Sequence, residues 1–228
     1  MKRLLIFVWA LVAPLALKAQ VFLIDDFTLS ATEGAYGIYT DIDCQEDNVF
    51  FVDMQAPNEH QYVQLKLWGN YLNSFVSSLR AAEKIYSLWS QIAKEKNVTF
   101  LSKDIRVSFP DKTLYFTVDG KWYLENGVDM KCKFMVSQDG TCYLVLQSDY
   151  LTSSEVVAHG YSIGNAYNFL SGRWGLAFAS STTSITRYCS GASLTFSSSE
   201  EIEMFIQKLY DAKEWKKRNK EQGKLFKS

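Results

Sequence analysis

The sequence predicts an α+β fold, an antiparallel β-meander sheet packed by two amphipathic helices, and three observations carry it. Two segments repeat apolar residues at the i, i+3, i+4, i+7 spacing that lines one face of a helix. Between them stand Asp119-Gly120, Asn126-Gly127 and Asp139-Gly140, dipeptides that readily take the positive φ angles of tight hairpin turns. The 228-residue chain is also 47% hydrophobic and 21% charged, a composition able to bury a core.

From the N-terminus, Lys2 and Arg3 precede an unbroken apolar run over residues 4–17, and the small Ala19 follows. A helix of that run rises only about 21 Å, against roughly 30 Å of bilayer hydrocarbon. Charged start, short apolar run and small residue read as a secretory signal peptide over residues 1–19. The expected mature chain, residues 20–228, is exported to the periplasm or the extracellular space as a single α+β domain. No Gly/Pro-rich linker divides it, and no transmembrane span is expected in it. Removing Lys2, Arg3 and Lys18 leaves 21 basic against 25 acidic residues. A net charge near −4 gives no general reason to expect a nucleic-acid partner.

The first mature segment is acidic, with "DIDCQED" over 41–47 holding Asp41, Asp43, Glu46 and Asp47. A calcium-binding EF-hand loop needs Gly at its sixth position and Glu at its twelfth; here those are Glu46 and Val52. A solvated acidic loop is expected, with no metal. "YVQLKL" over 62–67 alternates as a strand does. Leu72, Phe75, Val76, Leu79, Ala82, Tyr86, Trp89 and Ile92 then mark the first helix, with Asn70 as its cap and Asn97 near its end. Asn97 also opens the glycosylation acceptor "NVT".

The three turn dipeptides imply strands near 113–118, 121–125, 128–136 and 141–147. A two-residue turn at 139–140 pairs Cys132 with Gln147, which sets Cys132 and Cys142 on opposite faces and forbids a bond between them. Four cysteines in an exported chain permit disulfides, and Cys44 and Cys189 remain candidate partners. With no C-x-x-C and only His60 and His159, neither a zinc site nor a redox dithiol is supported, and no cofactor is expected.

Next comes "VVAHGYSIGNAYNFL", over 156–170, where Gly160, Ser162 and Gly164 fit G-x-S-x-G. Over about fifteen residues this resembles the nucleophile elbow of the α/β-hydrolases, a strand ("EVVAH") running into a helix ("NAYNFL"). The resemblance implies an acid and then a histidine after the serine in chain order. Only 66 residues follow Ser162 and none is His, so the base that would activate the hydroxyl is missing. A secreted serine hydrolase using Ser162 is the alternative reading; the principal expectation places no residue in a catalytic role.

The Ser/Thr-rich stretch 180–199 keeps Ile185, Tyr188, Leu194 and Phe196, and reads as loop and strand. The second helix carries Ile202, Phe205, Ile206, Leu209 and Ala212 on one face, a Ser198/Glu201 capping box before it and Gly223 as a stop. Its apolar set repeats that of the first helix at an offset of 130, and each helix follows a strand-like segment, "YVQLKL" or "ASLTF". That pattern suggests two related β-then-α halves.

The tail, 213–228, gathers Lys213, Lys216, Lys217, Arg218, Lys220 and Lys224, with Lys227 beyond. Extending past the apolar face of this helix, whose last core positions are Ala212 and Trp215, these cations are candidates for an anionic partner, in competition with their simple role at the negative end of a helix dipole. Trp122 and Tyr123 sit on opposite faces of one strand, which leaves one ring for a stacking surface. Together these features describe an exported, non-catalytic binding or interaction module, whose partner is a protein, a glycan or an anionic surface of the envelope.

Overall fold

The computed structural model describes residues 21–41, 49–110, 112–168 and 173–225. The expected signal peptide (1–19), the centre of the acidic loop (43, 46 and 47) and Cys44 lie outside them. Within them the chain builds the α+β architecture as two topologically matching halves with two inserted hairpins. In the first half β1 (Val21–Leu29), β2 (Gly34–Asp41), β3 (Val49–Met54) and β4 (Val63–Trp68) pair in chain order, each antiparallel to the next, and α1 (Gly69–Glu95) follows. The second half uses β5 (Leu101–Ile105), β8 (Met130–Val136), β9 (Cys142–Ser148) and β12 (Ser193–Phe196) in the same lateral order, followed by α2 (Ser199–Leu225). Both helices have 27 residues, and both their ends are offset by 130.

The two inserts fall between β5 and β8 and between β9 and β12. The first, β6 (Lys112–Val118) with β7 (Lys121–Val128), pairs β6 with β4 and so widens the first sheet to six strands, β1-β2-β3-β4-β6-β7. The second, β10 (Leu151–Asn168) with β11 (Arg173–Cys189), forms a separate two-stranded ribbon. A bridge of two 2.9 Å backbone hydrogen bonds between Gln55 and Ser193 ties the sheets together.

Burial follows the periodicities. Leu72, Phe75, Val76, Leu79 and Ala82 on α1, and Ile202, Phe205, Ile206, Leu209 and Ala212 on α2, are buried in one continuous core. Each helix reaches across to the other half. The α1 helix lies on β8 and β9, with Trp89 edge-on to Phe134 at 5.6 Å and the Tyr86 hydroxyl donating to the Cys142 carbonyl at 3.2 Å. In turn α2 lies on β1, where Phe205 meets Phe27 at 4.9 Å and Lys208 pairs with Asp25 at 2.7 Å. Ile92, expected on the apolar face, is exposed, while its neighbour Ala93 is buried in the core.

Several local expectations are corrected. Asp119-Gly120 does turn a hairpin, with φ of 52° and 74°. Asn126-Gly127 does not: Gly127 (φ 70°) sits inside β7 beside a register shift at Lys112/Thr113, which makes it a bulge. Strands β7 and β8 belong to different sheets, so the meander is broken there and the chain turns the corner through Asp129. At Asp139-Gly140 the loop is one residue longer than a two-residue turn, closed by Ser137 N–H donating to Thr141 O at 2.9 Å.

That one-residue difference moves the register to Cys132 opposite Leu146 and Val136 opposite Cys142. Cys132 and Cys142 therefore share the buried face instead of lying on opposite ones. They remain apart, offset by four residues or roughly 13 Å along the strands. Cys132, Cys142 and Cys189 are free thiols.

At the helix ends, α1 starts at Gly69 with Trp68 as an N-cap lacking any side-chain cap bond, so Asn70 lies in the first turn instead. Ser198 does cap α2, accepting from the Glu201 N–H at 3.2 Å, but the Glu201 carboxylate reaches Ser197 N–H (2.7 Å) and Ser30 N–H (2.9 Å). Gly223 is no stop, because α2 continues to Leu225.

Candidate binding face of the six-stranded sheet

Alternate residues of a strand occupy opposite faces. In the first sheet one set, Phe50 and Val52 of β3, Leu65 and Leu67 of β4, and Leu114 and Phe116 of β6, is buried in the shared core. The pairing register then fixes the opposite face. One row runs Tyr39, Phe51, Lys66, Thr113, Asn126 across five strands; the next runs Asp53, Gln64, Tyr115, Leu124; Thr117 and Trp122 form a third. This face is rich in aromatic rings where a solvated sheet face is ordinarily plain polar. Trp122 is 51% exposed, Tyr62, beside Thr117, is 67% exposed, and Leu124 is exposed as well.

The rings are held in place. Phe51 packs edge-on to Tyr115 at 5.5 Å, Lys66 Nζ stands 4.6 Å over the Trp68 ring, and Trp68 meets Tyr71 at 6.1 Å. Asp53 accepts from Gly37 N–H (3.0 Å), the Tyr39 hydroxyl (3.0 Å) and Gln64 Nε2 (2.9 Å). Burial and the Asp53 carboxylate together push the Tyr39 phenol up to about 12, which keeps it a neutral donor. Gly37 is required for this arrangement, since a Cβ there would fall 2.4 Å from the Tyr39 ring. Nearby, Thr113 Oγ donates to Asn126 Oδ at 2.6 Å, and Thr117 Oγ accepts from Tyr62 N–H at 2.8 Å. The face can stack a ligand on rings and bond it through amide, hydroxyl and carboxylate groups.

The other candidates are placed as follows. Ser162 stands opposite Ala179 in the middle of β10, so its backbone is extended and no strand-to-helix elbow forms. The expected helix at "NAYNFL" is strand through Asn168, with 169 and 170 outside the described residues. His159 lies at the register shift between Ala158 and Gly160, and His60 is a surface residue 3.7 Å from Glu59. Among the described residues no group of three or more His, Cys, Asp or Glu is arranged to hold a metal ion.

The basic cluster Lys213, Lys216, Lys217, Arg218, Lys220 and Lys224 rides on the last turns of α2. Lys217, Arg218 and Lys220 are exposed, whereas Lys216 turns back on the body. Its Nζ donates to the Val49 carbonyl at 3.2 Å and stands 5.7 Å over the Phe50 ring. Lys216 therefore contacts the body as well as solvent. Of the pair Trp122 and Tyr123, Trp122 is the exposed ring, while Tyr123 packs on Phe116 at 5.9 Å. Asn97, two residues past the end of α1, is exposed and adopts a left-handed conformation with φ of 50°.

No family model matches this chain, and no curated protein or solved structure matches it either.

Proposed function

We infer that this protein is an exported, non-catalytic binding module that engages a neutral saccharide chain through the outer face of its six-stranded sheet. The observation that carries the reading is the face with Trp122, Tyr115, Phe51 and Tyr39 interleaved with Asp53, Gln64 and Asn126. Aromatic rings stack on the apolar faces of sugar rings, and short polar side chains bond their hydroxyls. A partly exposed ring with a polar neighbour suits such an amphipathic ligand. Lys66 is the only Lys or Arg in the three rows, and it lies against Trp68, so an anionic chain finds little attraction there.

Affinity electrophoresis through gels containing neutral polysaccharides (glucan, mannan, xylan) or acidic ones tests this. At least one neutral gel should retard the mature protein, Trp122→Ala should abolish the retardation, and charge reversal at Lys217 and Arg218 should leave it unchanged. Migration unaffected by every neutral polysaccharide, or retardation that survives Trp122→Ala, would overturn the reading.

A further inference from the structure

The ribbon β10–β11 has no role in the binding face, yet its strands, at 18 and 17 residues, are the longest among the described residues. Its base is fastened to the body. Leu151 and Cys189 are buried, the Tyr123 hydroxyl donates to Glu155 at 3.0 Å, and Arg187 pairs with Glu155 (3.5 Å) and Asp119 (3.7 Å). Past this polar clamp the character changes. Residues 156–168 and 174–186 contain no Asp, Glu, Lys or Arg; Arg173, opposite Asn168 at the far end, is the one formal charge of the two arms.

The register sorts these arms by size. Tyr161/Ser180, Ile163/Phe178, Asn165/Leu176 and Tyr167/Trp174 are cross-strand pairs on one face. Gly160/Ser181, Ser162/Ala179, Gly164/Ala177 and Ala166/Gly175 are the pairs on the other. One face thus carries six large apolar or aromatic residues in eight positions, and the other carries only Gly, Ala and Ser. The large face is itself graded: Tyr161 stands nearest the body, Ile163, Phe178 and Leu176 follow, and Tyr167 with Trp174 stand near the far end.

A dyad alternation of apolar and small residues, bracketed by aromatic residues at both ends, is the pattern of a membrane-spanning β-strand. The length agrees. The nine residues from 160 to 168, paired with 173 to 181, match the roughly 9–11 that a tilted strand needs to cross the hydrocarbon. No helix among the described residues is long and apolar enough to span a bilayer.

A lone ribbon cannot do this, because β10 and β11 pair only with each other. Lipid does not tolerate the two unpaired edges that remain. Further copies of the same ribbon can pair with both edges and close the sheet.

We propose that β10–β11 is a membrane-inserting hairpin, and that several copies of the chain join their hairpins into one transmembrane β-barrel. The face of Tyr161, Ile163, Tyr167, Trp174, Leu176 and Phe178 meets the acyl chains, and the Gly/Ala/Ser face lines the lumen. The sequence expectation of no transmembrane span weighed helical segments only, and a strand signal of this kind is weaker per residue. This inference stands independently of the saccharide reading.

Cysteine scanning of the mature protein tests it. Single cysteines at each position from 160 to 167 are labelled with the environment-sensitive dye NBD and mixed with phosphatidylcholine/phosphatidylglycerol vesicles loaded with calcein. NBD emission should rise and shift to the blue at 161, 163, 165 and 167 and stay near its aqueous value at 160, 162, 164 and 166. Calcein release should accompany it. The double variant Ile163→Asp/Phe178→Asp, with its melting temperature checked against the wild type, should lower release at least about tenfold. Unchanged emission with vesicles, a change without alternation, or alternation that appears at high protein concentration without lipid would each overturn the proposal. The last outcome would identify a soluble assembly instead.

Discussion

Glu201 ties three parts of the fold together, and its removal has a magnitude that the geometry sets. Its carboxylate accepts from Ser197 N–H at 2.7 Å, Ser30 N–H at 2.9 Å and the Ser30 hydroxyl, while its own N–H is held by Ser198. It thereby fixes the end of β1 against the start of α2. Partial burial raises its pKa, but the donors of Ser197 and Ser30 outweigh that and hold it below the usual glutamate value. A hydrogen bond to a charged group contributes about 1.5–3 kcal/mol net. Water reaches this half-exposed site and replaces part of what is lost, so one such bond is a fair total. Glu201→Ala should cost about 2 kcal/mol, and Glu201→Gln, which keeps an acceptor but loses the charge at a helix N-terminus, about 1 kcal/mol.

For a domain of this size these losses correspond to Tm decreases of about 4–8 °C and 2–4 °C. Because the folded pKa is depressed, the contribution is complete above the unfolded pKa of about 4.3 and disappears as pH falls through the folded value. Urea or thermal unfolding followed by circular dichroism between pH 7 and pH 3 measures both effects. A Glu201→Ala variant within 0.5 kcal/mol of wild type at pH 7, or a gap undiminished at pH 3, would refute this account of the junction.

Two further outcomes follow. Phe205 fills the core between Phe27 (4.9 Å) and Phe196 (5.6 Å), so Phe205→Ala should destabilise by about 3–5 kcal/mol in denaturant unfolding; a loss under 1 kcal/mol would show that α2 does not seat on β1. Burial pushes the Cys132 thiol up to about 12, so native protein at pH 8 should leave Cys132 unalkylated by iodoacetamide, while urea-unfolded protein reacts fully, as peptide mass mapping would read. Rapid native labelling at Cys132 would mean that the β5–β8–β9 sheet opens.

Helix faces were legible because their signal is local: the five-residue apolar sets of α1 and α2 name their own buried side. Asp119-Gly120 was legible for the same reason. Asn126-Gly127 has identical turn chemistry, yet the pairing of β6 with β4 carries β7 past it, and a glycine with positive φ serves a bulge as well as a turn. The Ser162 stretch reads locally as strand and then helix, but pairing with β11, from Val156 opposite Ser184 to Asn168 opposite Arg173, extends the strand through "NAYN". Gly223 stays helical because neighbouring residues favour the helix enough to absorb one glycine. Of the proposed binding face, only the opposition of Trp122 and Tyr123 on one strand, which leaves one of the two rings exposed, was legible. Its breadth depends on which side of the sheet the helices cover and on the joining of β6–β7 to β4, and neither is written in any one segment.

The claim that the outer face of the six-stranded sheet is the binding surface is tested most directly by hydroxyl-radical footprinting of the mature protein. It is oxidised with and without a saturating neutral polysaccharide that retards it in gels, and read by mass spectrometry. The expected result is reduced oxidation at Trp122, Tyr62, Tyr115 and Tyr39, with Tyr150 and Leu88, exposed elsewhere, unchanged. Protection confined to residues away from that face, with Trp122 oxidised equally in both states, would contradict it.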